Sequence, residues 1–223
     1  MQKPISDAQA PENDAMNDRR QTLLLLLLAT LLFCAISFFL FDQPVTLYFH
    51  QFDSGPWHSV WKAVTRAGQS EWYLVGGLLL FAGLRKRNRR ISSTGLLLFS
   101  TVAVSGLTAD VIKVVLCRAR PKLLLEQGIY GFDLFGWHLK HAWQSFPSGH
   151  SATALSAALS LSLLYPRLRP AFIAAAVVIA ASRVVLCQHY LSDVVAGSAL
   201  GAVTVALLYQ RFFRTAFDET GTL

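Results

Sequence analysis

Six stretches of this chain are too apolar to sit in water, and they limit the fold more than any other feature. The first, residues 22–41, carries no charge at all. About 20 residues at 1.5 Å each cross the hydrocarbon core of a bilayer. Residues 71–84, 91–116, 151–165, 171–187 and 194–209 are the other five. Composition agrees: 53% of residues are hydrophobic and 15% charged, against about 25% charged in soluble domains. The expectation is an all-α polytopic membrane protein, a bundle of six transmembrane helices with its active site at the outer membrane face. A polar, disordered N-terminal tail at 1–21 would precede a membrane domain at 22–210, and a short tail at 211–223 would follow it.

The first run is longer than the roughly 7–15 apolar residues of a secretory signal, and no small-x-small cleavage site follows it. It reads as an uncleaved anchor, with Arg19-Arg20 as its topology flank. The second and fourth runs are short and rely on flanking sequence or on interfacial Trp72 and Tyr165. Gly197 and Gly201 form a small-xxx-small face suited to close helix approach. Residues 57–67 place Trp57, Val60, Trp61 and Val64 at helical spacing, as in an interfacial amphipathic helix.

The formal charge of +7 fits a membrane surface or an acidic substrate better than nucleic acid. Most Lys and Arg fall in the N-terminal tail, the run at 85–90, Arg167 and Arg169, and Arg211 and Arg214. The positive-inside rule then puts both termini in the cytoplasm and the loops 42–70 and 113–150 outside. The expected location is a bacterial inner membrane, with the site facing the periplasm. Three cysteines are too few for a disulfide scaffold, and no C-x-x-C pair points to zinc. Cys117 and Cys187 share the outer side; two small buried thiols that never meet are preferred to a disulfide.

Polar groups that persist near membrane helices are informative because they are expensive there. They collect at three places: Lys113 to Arg120-Pro121, Pro147-Ser148-Gly149-His150, and Ser182-Arg183 to His189 and Asp193. Helix three exits where helix four enters, and helix five exits where helix six enters. Parity therefore gathers all three on one face. Three cations, two histidines and a carboxylate suit phosphoryl transfer, whose transition state spreads negative charge over equatorial oxygens. Lys113 and Arg120 would share a helix face if the helix runs that far, although Pro121 disfavours helical geometry at Arg120. Ser148 fits a helix N-cap, with free amides beyond it for an anion. His189 and Asp193 lie one helical turn apart, so the carboxylate could hold one ring nitrogen and leave the other to attack. Spacing alone leaves open which histidine attacks.

Lys-x6-Arg-Pro, Pro-Ser-Gly-His and Ser-Arg-x5-His-x3-Asp, in that order, resemble the type 2 phosphatidic acid phosphatase superfamily, in its integral-membrane lipid phosphatase branch. All three motifs match, and the likeness extends over roughly residues 22–210. The resemblance implies a nucleophilic His189 oriented by Asp193, a proton-donating His150, and phosphate binding by Lys113, Arg120, Ser148, Gly149 and Arg183. It implies no metal or other cofactor. The expected partners are the bilayer and a membrane lipid phosphate, with no nucleic acid and no obligate protein partner.

Undecaprenyl diphosphate, phosphatidylglycerol phosphate, phosphatidic acid and lipid A phosphates all fit the motif as substrates. Lipid-to-lipid phosphotransfer is the alternative reaction. A non-enzymatic lipid transporter or scaffold is the alternative class, and an incomplete motif set would favour it. Asp110, one turn before Lys113, reads first as a structural partner of a nearby cation. The stretch 137–143, with Trp137, His138, Lys140, His141 and Trp143, reads first as an interfacial aromatic segment and second as a headgroup lip.

Overall fold

The computed structural model describes residues 10–52 and 54–218, and among these it has helices, connecting loops and no strand. All six apolar runs are helical: α1 Ala10–Leu40, α4 Ser70–Leu84, α5 Arg89–Leu116, α7 Gly149–Leu164, α8 Arg169–Val185 and α9 Leu191–Leu208. Between them lie α2 Asp42–His50, α3 Pro56–Arg66 and α6 Pro121–Gln127. Helix α3 matches the expected amphipathic segment. Helices α2 and α6 fall where only loop was expected.

Helix reaches into both segments expected to be tails. Residues 1–9 of the expected N-terminal tail lie outside the described residues, and from Ala10 onward the chain is helical as part of α1. Extending an established helix costs far less than nucleating one. At the other end the helix passes through a π turn, Tyr209–Phe213, into a short α10, Arg214–Asp218. The helical chain therefore continues past residue 210, into the segment expected to be a tail.

Among the described residues, four helical segments are long and apolar enough to cross a membrane: Arg20–Leu40, Arg89–Leu116, Pro166–Val185 and Leu191–Phe217. Helices α4 and α7, with 15 and 16 residues, are about 22 and 24 Å long. The position of α7 explains its composition. It packs against α5, α8 and α9, so most of it faces protein instead of lipid. Its buried residues include Ser151, Thr153, Ser156, Ser160 and Ser162. Hydroxyls pair across the bundle: Ser160 with Thr101 at 3.2 Å and Ser156 with Ser105 at 3.3 Å. Apolar attraction is weak between helices in lipid, so small-residue packing and such hydrogen bonds hold them together.

Glycines permit the closest approach. A Cβ on Gly201 would lie 2.5 Å from the Ala152 carbonyl, and one on Gly197 would overlap the Ser148 carbonyl. The expected small-residue face therefore packs on the start of α7. In contrast, α1 shows Leu24, Leu25, Leu28, Leu31 and Leu32 on its surface, which suits contact with acyl chains.

The loops sort to two ends. Residues 87–91 and 164–168 line one shared cavity, and an Arg90 guanidinium nitrogen donates to the Leu163 carbonyl at 3.3 Å. The opposite end carries the last turns of α5 and α8, the first turns of α7 and α9, and helices α2, α3 and α6. This is the parity expected from the sequence.

Candidate active site

Helix α5 stops at Leu116 because Cys117 adopts a left-handed conformation, φ 43° and ψ 58°, and its amide donates to the Lys113 carbonyl at 2.9 Å. That geometry is a common helix stop but is uncommon for a residue other than Gly or Asn. Lys113 and Arg120 therefore do not share a continuous helix. Arg120 instead caps α6 in an extended conformation, φ −75° and ψ 159°, as the following proline favours. The loop beyond α6 folds back over this segment. The Ala119 amide donates to Gly131, Arg120 to Ala142 and Ser145 to Arg118, at 3.0, 2.8 and 3.1 Å. These bonds fix the motif backbone.

The loop also places His189. Its Nδ1 lies 2.7 Å from the Ser145 carbonyl. A carbonyl only accepts, so Nδ1 carries the proton and Nε2 keeps the lone pair. Burial pushes the ring down to about 3; Asp193 opposes that shift, and Arg120 and Arg183 reinforce it. The ring is thus neutral through the physiological range, with one nucleophilic nitrogen. Asp193 was expected to hold the ring directly, but its carboxylate stands 3.5 Å from Nδ1. That carboxylate instead accepts from the Ser145 hydroxyl, an Arg118 nitrogen and, at 2.9 Å, the Tyr190 amide. It sits in the first turn of α9 beyond the N-cap residue, Tyr190. Asp193 therefore meets His189 both at ion-pair distance and through the hydroxyl of Ser145, the residue whose carbonyl holds the ring.

Ser148 caps α7, accepting from the Ser151 amide at 3.4 Å, and its own amide donates to the Asp193 carbonyl at 2.9 Å. Gly149 follows; a Cβ there would lie 3.5 Å from Lys113 Nζ, so the ammonium sits beside the start of α7. Lys113 also pairs with Asp110 at 2.8 Å, with Asp110 largely in solvent. His150, one residue on, packs its ring edge against Gly68 between α3 and α4, 3.1 Å from where a Cβ would stand.

The two site arginines have neutral partners. Arg120 donates to the Gln188 and Gln144 carbonyls at 3.2 and 3.0 Å, and Arg183 to the Thr65 hydroxyl of α3 at 2.7 Å. In both, Nε is buried and unpartnered. Burial pulls Arg120 down to about 10, with Asp193 acting the other way. Buried cations without a carboxylate partner are costly, and an incoming phosphate would relieve that cost with charge-assisted bonds. Among the described residues, no three His, Cys, Asp or Glu side chains come together as a metal-binding group. Cys117 Sγ donates to the Val114 carbonyl at 3.1 Å and Cys187 Sγ to the Thr46 carbonyl at 3.6 Å.

The PAP2 superfamily model matches residues 94–216, more than half of the chain. The chain belongs to the PAP2 superfamily. It is 37% identical over 192 residues to a lipid A 1-phosphatase of Rhizobium etli, covering 79% of this chain and 81% of that protein. A transmembrane PAP2-type phosphatidylglycerolphosphate phosphatase from Bacillus subtilis has a similar fold, with TM-score 0.62 at 24% identity, covering 90% of this chain and 97% of that one. Aquifex aeolicus LpxE superposes with TM-score 0.51 at 20% identity, over 76% and 94% of the two chains. The chain is accordingly a membrane lipid phosphatase with a PAP2 fold.

Several residues of this PAP2 site escape a reading by motif. Asp42 is fully buried, accepts from Ser37 and an Arg118 nitrogen at 2.7 Å each, and also holds Ser192. Arg118 thereby bridges Asp42 and Asp193. Burial would depress its pKa, but Asp193 and Asp42 more than reverse that and raise it. One signal was available: Asp42 is a lone carboxylate directly after an uncharged run, where a charge needs a named partner. Ser145 and Thr65 carried no such signal. His141 is lowered chiefly by Arg120, then by burial, then by Lys113 and Arg183. Within the stretch 137–143, His138 stacks on Trp143.

Proposed function

We propose that this membrane lipid phosphatase removes the 1-phosphate of lipid A through a phosphohistidine on His189, at the periplasmic face of a bacterial inner membrane. The observation that carries the mechanism is the Nδ1–H bond from His189 to the Ser145 carbonyl. It leaves Nε2 unprotonated within the field of Arg120 and Arg183. In the first step Nε2 attacks phosphorus, an N–P bond forms, and the P–O bond to the sugar breaks. His150 gives its proton to the departing oxygen. In the second step neutral His150 takes a proton from water, the hydroxyl attacks phosphorus, and the N–P bond breaks to release phosphate. Lys113, Arg120, Arg183, Ser148 and the Gly149 amide hold the phosphoryl oxygens, the preorganised electrostatic contribution such sites rely on. The choice of lipid is supported by the Rhizobium relative, which shares most of its length with this chain.

The test is phosphate release by the purified full-length protein from lipid A, phosphatidylglycerol phosphate, undecaprenyl diphosphate and phosphatidic acid, with EDTA present. Lipid A is expected to show the highest kcat/KM, and vanadate, a five-coordinate mimic of the transition state, to inhibit. A tenfold preference for another lipid would remove the substrate assignment. Loss of activity in EDTA, restored by Mg²⁺ or Zn²⁺, would remove the mechanism. Phosphate appearing on a second lipid instead of in water would convert the hydrolase into a phosphotransferase. For orientation, a reporter after Leu223 should read as cytoplasmic and one within residues 122–140 as periplasmic.

A further inference from the structure

A cavity of about 470 Å³ adjoins the site at Arg183. None of Lys113, Ser148, Gly149, His150 or His189 borders it. Its walls come from the end of α2, from α3, from α6 and from the loop between α8 and α9, and they bring His50, His58, Lys62 and Lys122 around Arg183. Among the described residues, Glu126 is the one carboxylate in the lining. It pairs with Lys122 at 3.7 Å, with both side chains more than half exposed, and such pairs contribute little. The cavity therefore has a positive balance and the size of a small-ligand site.

Arg183 connects this cavity to the chemistry. Its guanidinium is held by Thr65, which also lines the cavity, and it keeps a buried unpartnered Nε. A guanidinium has five N–H donors in a planar fork, enough to serve an anion on each side. Gln188 is shared in the same way: its carbonyl holds Arg120 while the residue lines the cavity.

We propose that this cavity is a second anion subsite, which takes a second phosphate carried on the same headgroup as the scissile one. This rests on the lipid phosphatase reading of the site and narrows its substrate class. The preferred lipid has two phosphates separated by a spacer, and Lys62 and Lys122 select for the one that is not cleaved. In a diphosphate, by contrast, the second phosphorus is joined to the first through a single oxygen and stays within the His189 site.

The test uses purified full-length protein hydrolysing short-chain phosphatidic acid in detergent, with glucose 1,6-bisphosphate or glucose 1-phosphate as competitor. For wild type, the bisphosphate should inhibit at about tenfold lower concentration than the monophosphate. Lys62→Ala combined with Lys122→Ala should raise the bisphosphate Ki about tenfold. It should leave the monophosphate Ki and the phosphatidic acid kcat unchanged, which also reports an intact fold. Lys62→Glu alone should act in the same direction. Equal inhibition of wild type by the two sugars, or a parallel rise of both Ki values in the variants, would overturn the subsite. If lipid A is not cleaved but the bisphosphate preference and its loss are seen, the lipid A assignment fails and the subsite stands.

Discussion

Arg118 and Arg120 stand two residues apart in one motif, and both are buried, yet their surroundings differ in kind. Arg118 bridges two carboxylates, Asp42 and Asp193, and is ringed by Phe38, Tyr130, Phe132, Phe146 and Tyr190 with ring centroids 4.5 to 5.9 Å away. Among the described residues, the hydrogen bonds of Arg120 go to backbone carbonyls and that of Arg183 to a hydroxyl. The first arginine is neutralised from within and belongs to the framework. The other two leave positive charge for something the chain does not supply. In a site of this kind the carboxylate inventory separates structural cations from binding ones better than burial does.

The sharpest division between the two groups is expected at the nucleophile. His189→Ala should abolish turnover of both a lipid phosphate and nitrophenyl phosphate. His150→Ala should lose about 10²–10⁴ on the lipid, the usual range for general acid–base catalysis, and clearly less on nitrophenyl phosphate, whose leaving group departs unprotonated. If His189→Ala were the variant rescued by the better leaving group, the two roles would be exchanged. Each substrate is compared with its own wild-type rate.

Next come the arginines themselves. Arg120→Ala should cost about 10²–10³ in kcat, the scale for losing one preorganised charge stabiliser, while its unfolding temperature in detergent stays at or above wild type. Arg118→Met should do the reverse at the level of the fold. It leaves Asp42 and Asp193 buried and uncompensated, a loss of about 3–5 kcal/mol. Thermal unfolding followed by tryptophan fluorescence, paired with turnover, reads both. An Arg120→Ala protein destabilised as much as Arg118→Met would erase the distinction.

The carboxylate side of the same network gives a smaller effect. Asp42→Asn keeps most hydrogen-bonding atoms but removes one of the two charges facing Arg118, and about 1–3 kcal/mol of stability should go with it. Phosphatase activity per folded molecule should fall by less than in Arg120→Ala, because Asp193 still holds Ser145. An Asp42→Asn enzyme as inactive as Arg120→Ala but fully stable would place Asp42 in the chemistry.

The smallest expected effect is on pH dependence. His189 binds its proton more weakly folded than unfolded, at about 3 against the ordinary 6.5 of a histidine, because the ring is buried. The unfolded chain therefore takes up the proton first on acidification. The stabilising contribution is complete above about pH 6.5 and is lost as pH falls toward 3. The slope is at most about 1.4 kcal/mol per pH unit for one proton. His189→Asn should flatten the decline of unfolding temperature between pH 6.5 and 4 relative to wild type. An unchanged slope would mean that the ring is not buried neutral.

Much of this arrangement is legible in the chain. A helix in lipid must be apolar along its own length, so the six runs announce α1, α4, α5, α7, α8 and α9 without reference to partners. The three polar motifs stand out because charge is expensive beside such helices, and helix parity brings them to one end. The close approach of α9 to α7 is written in Gly197 and Gly201. What the local pattern does not carry is pairing at a distance. Asp42 meets Arg118 across 76 positions of sequence, and His189 meets the Ser145 carbonyl across 44. Hydropathy depends on a residue and its neighbours along the chain, whereas a proton's position on an imidazole depends on which acceptor the folded backbone presents to it. The sequence by itself determined that this is a bundle of membrane helices with a phosphate-handling cluster at one end. Tertiary structure alone decided which nitrogen of His189 carries the proton, that Asp193 accepts from Ser145 as well as lying beside His189, and which buried arginine is already neutralised, because those outcomes depend on partners that only folding brings together.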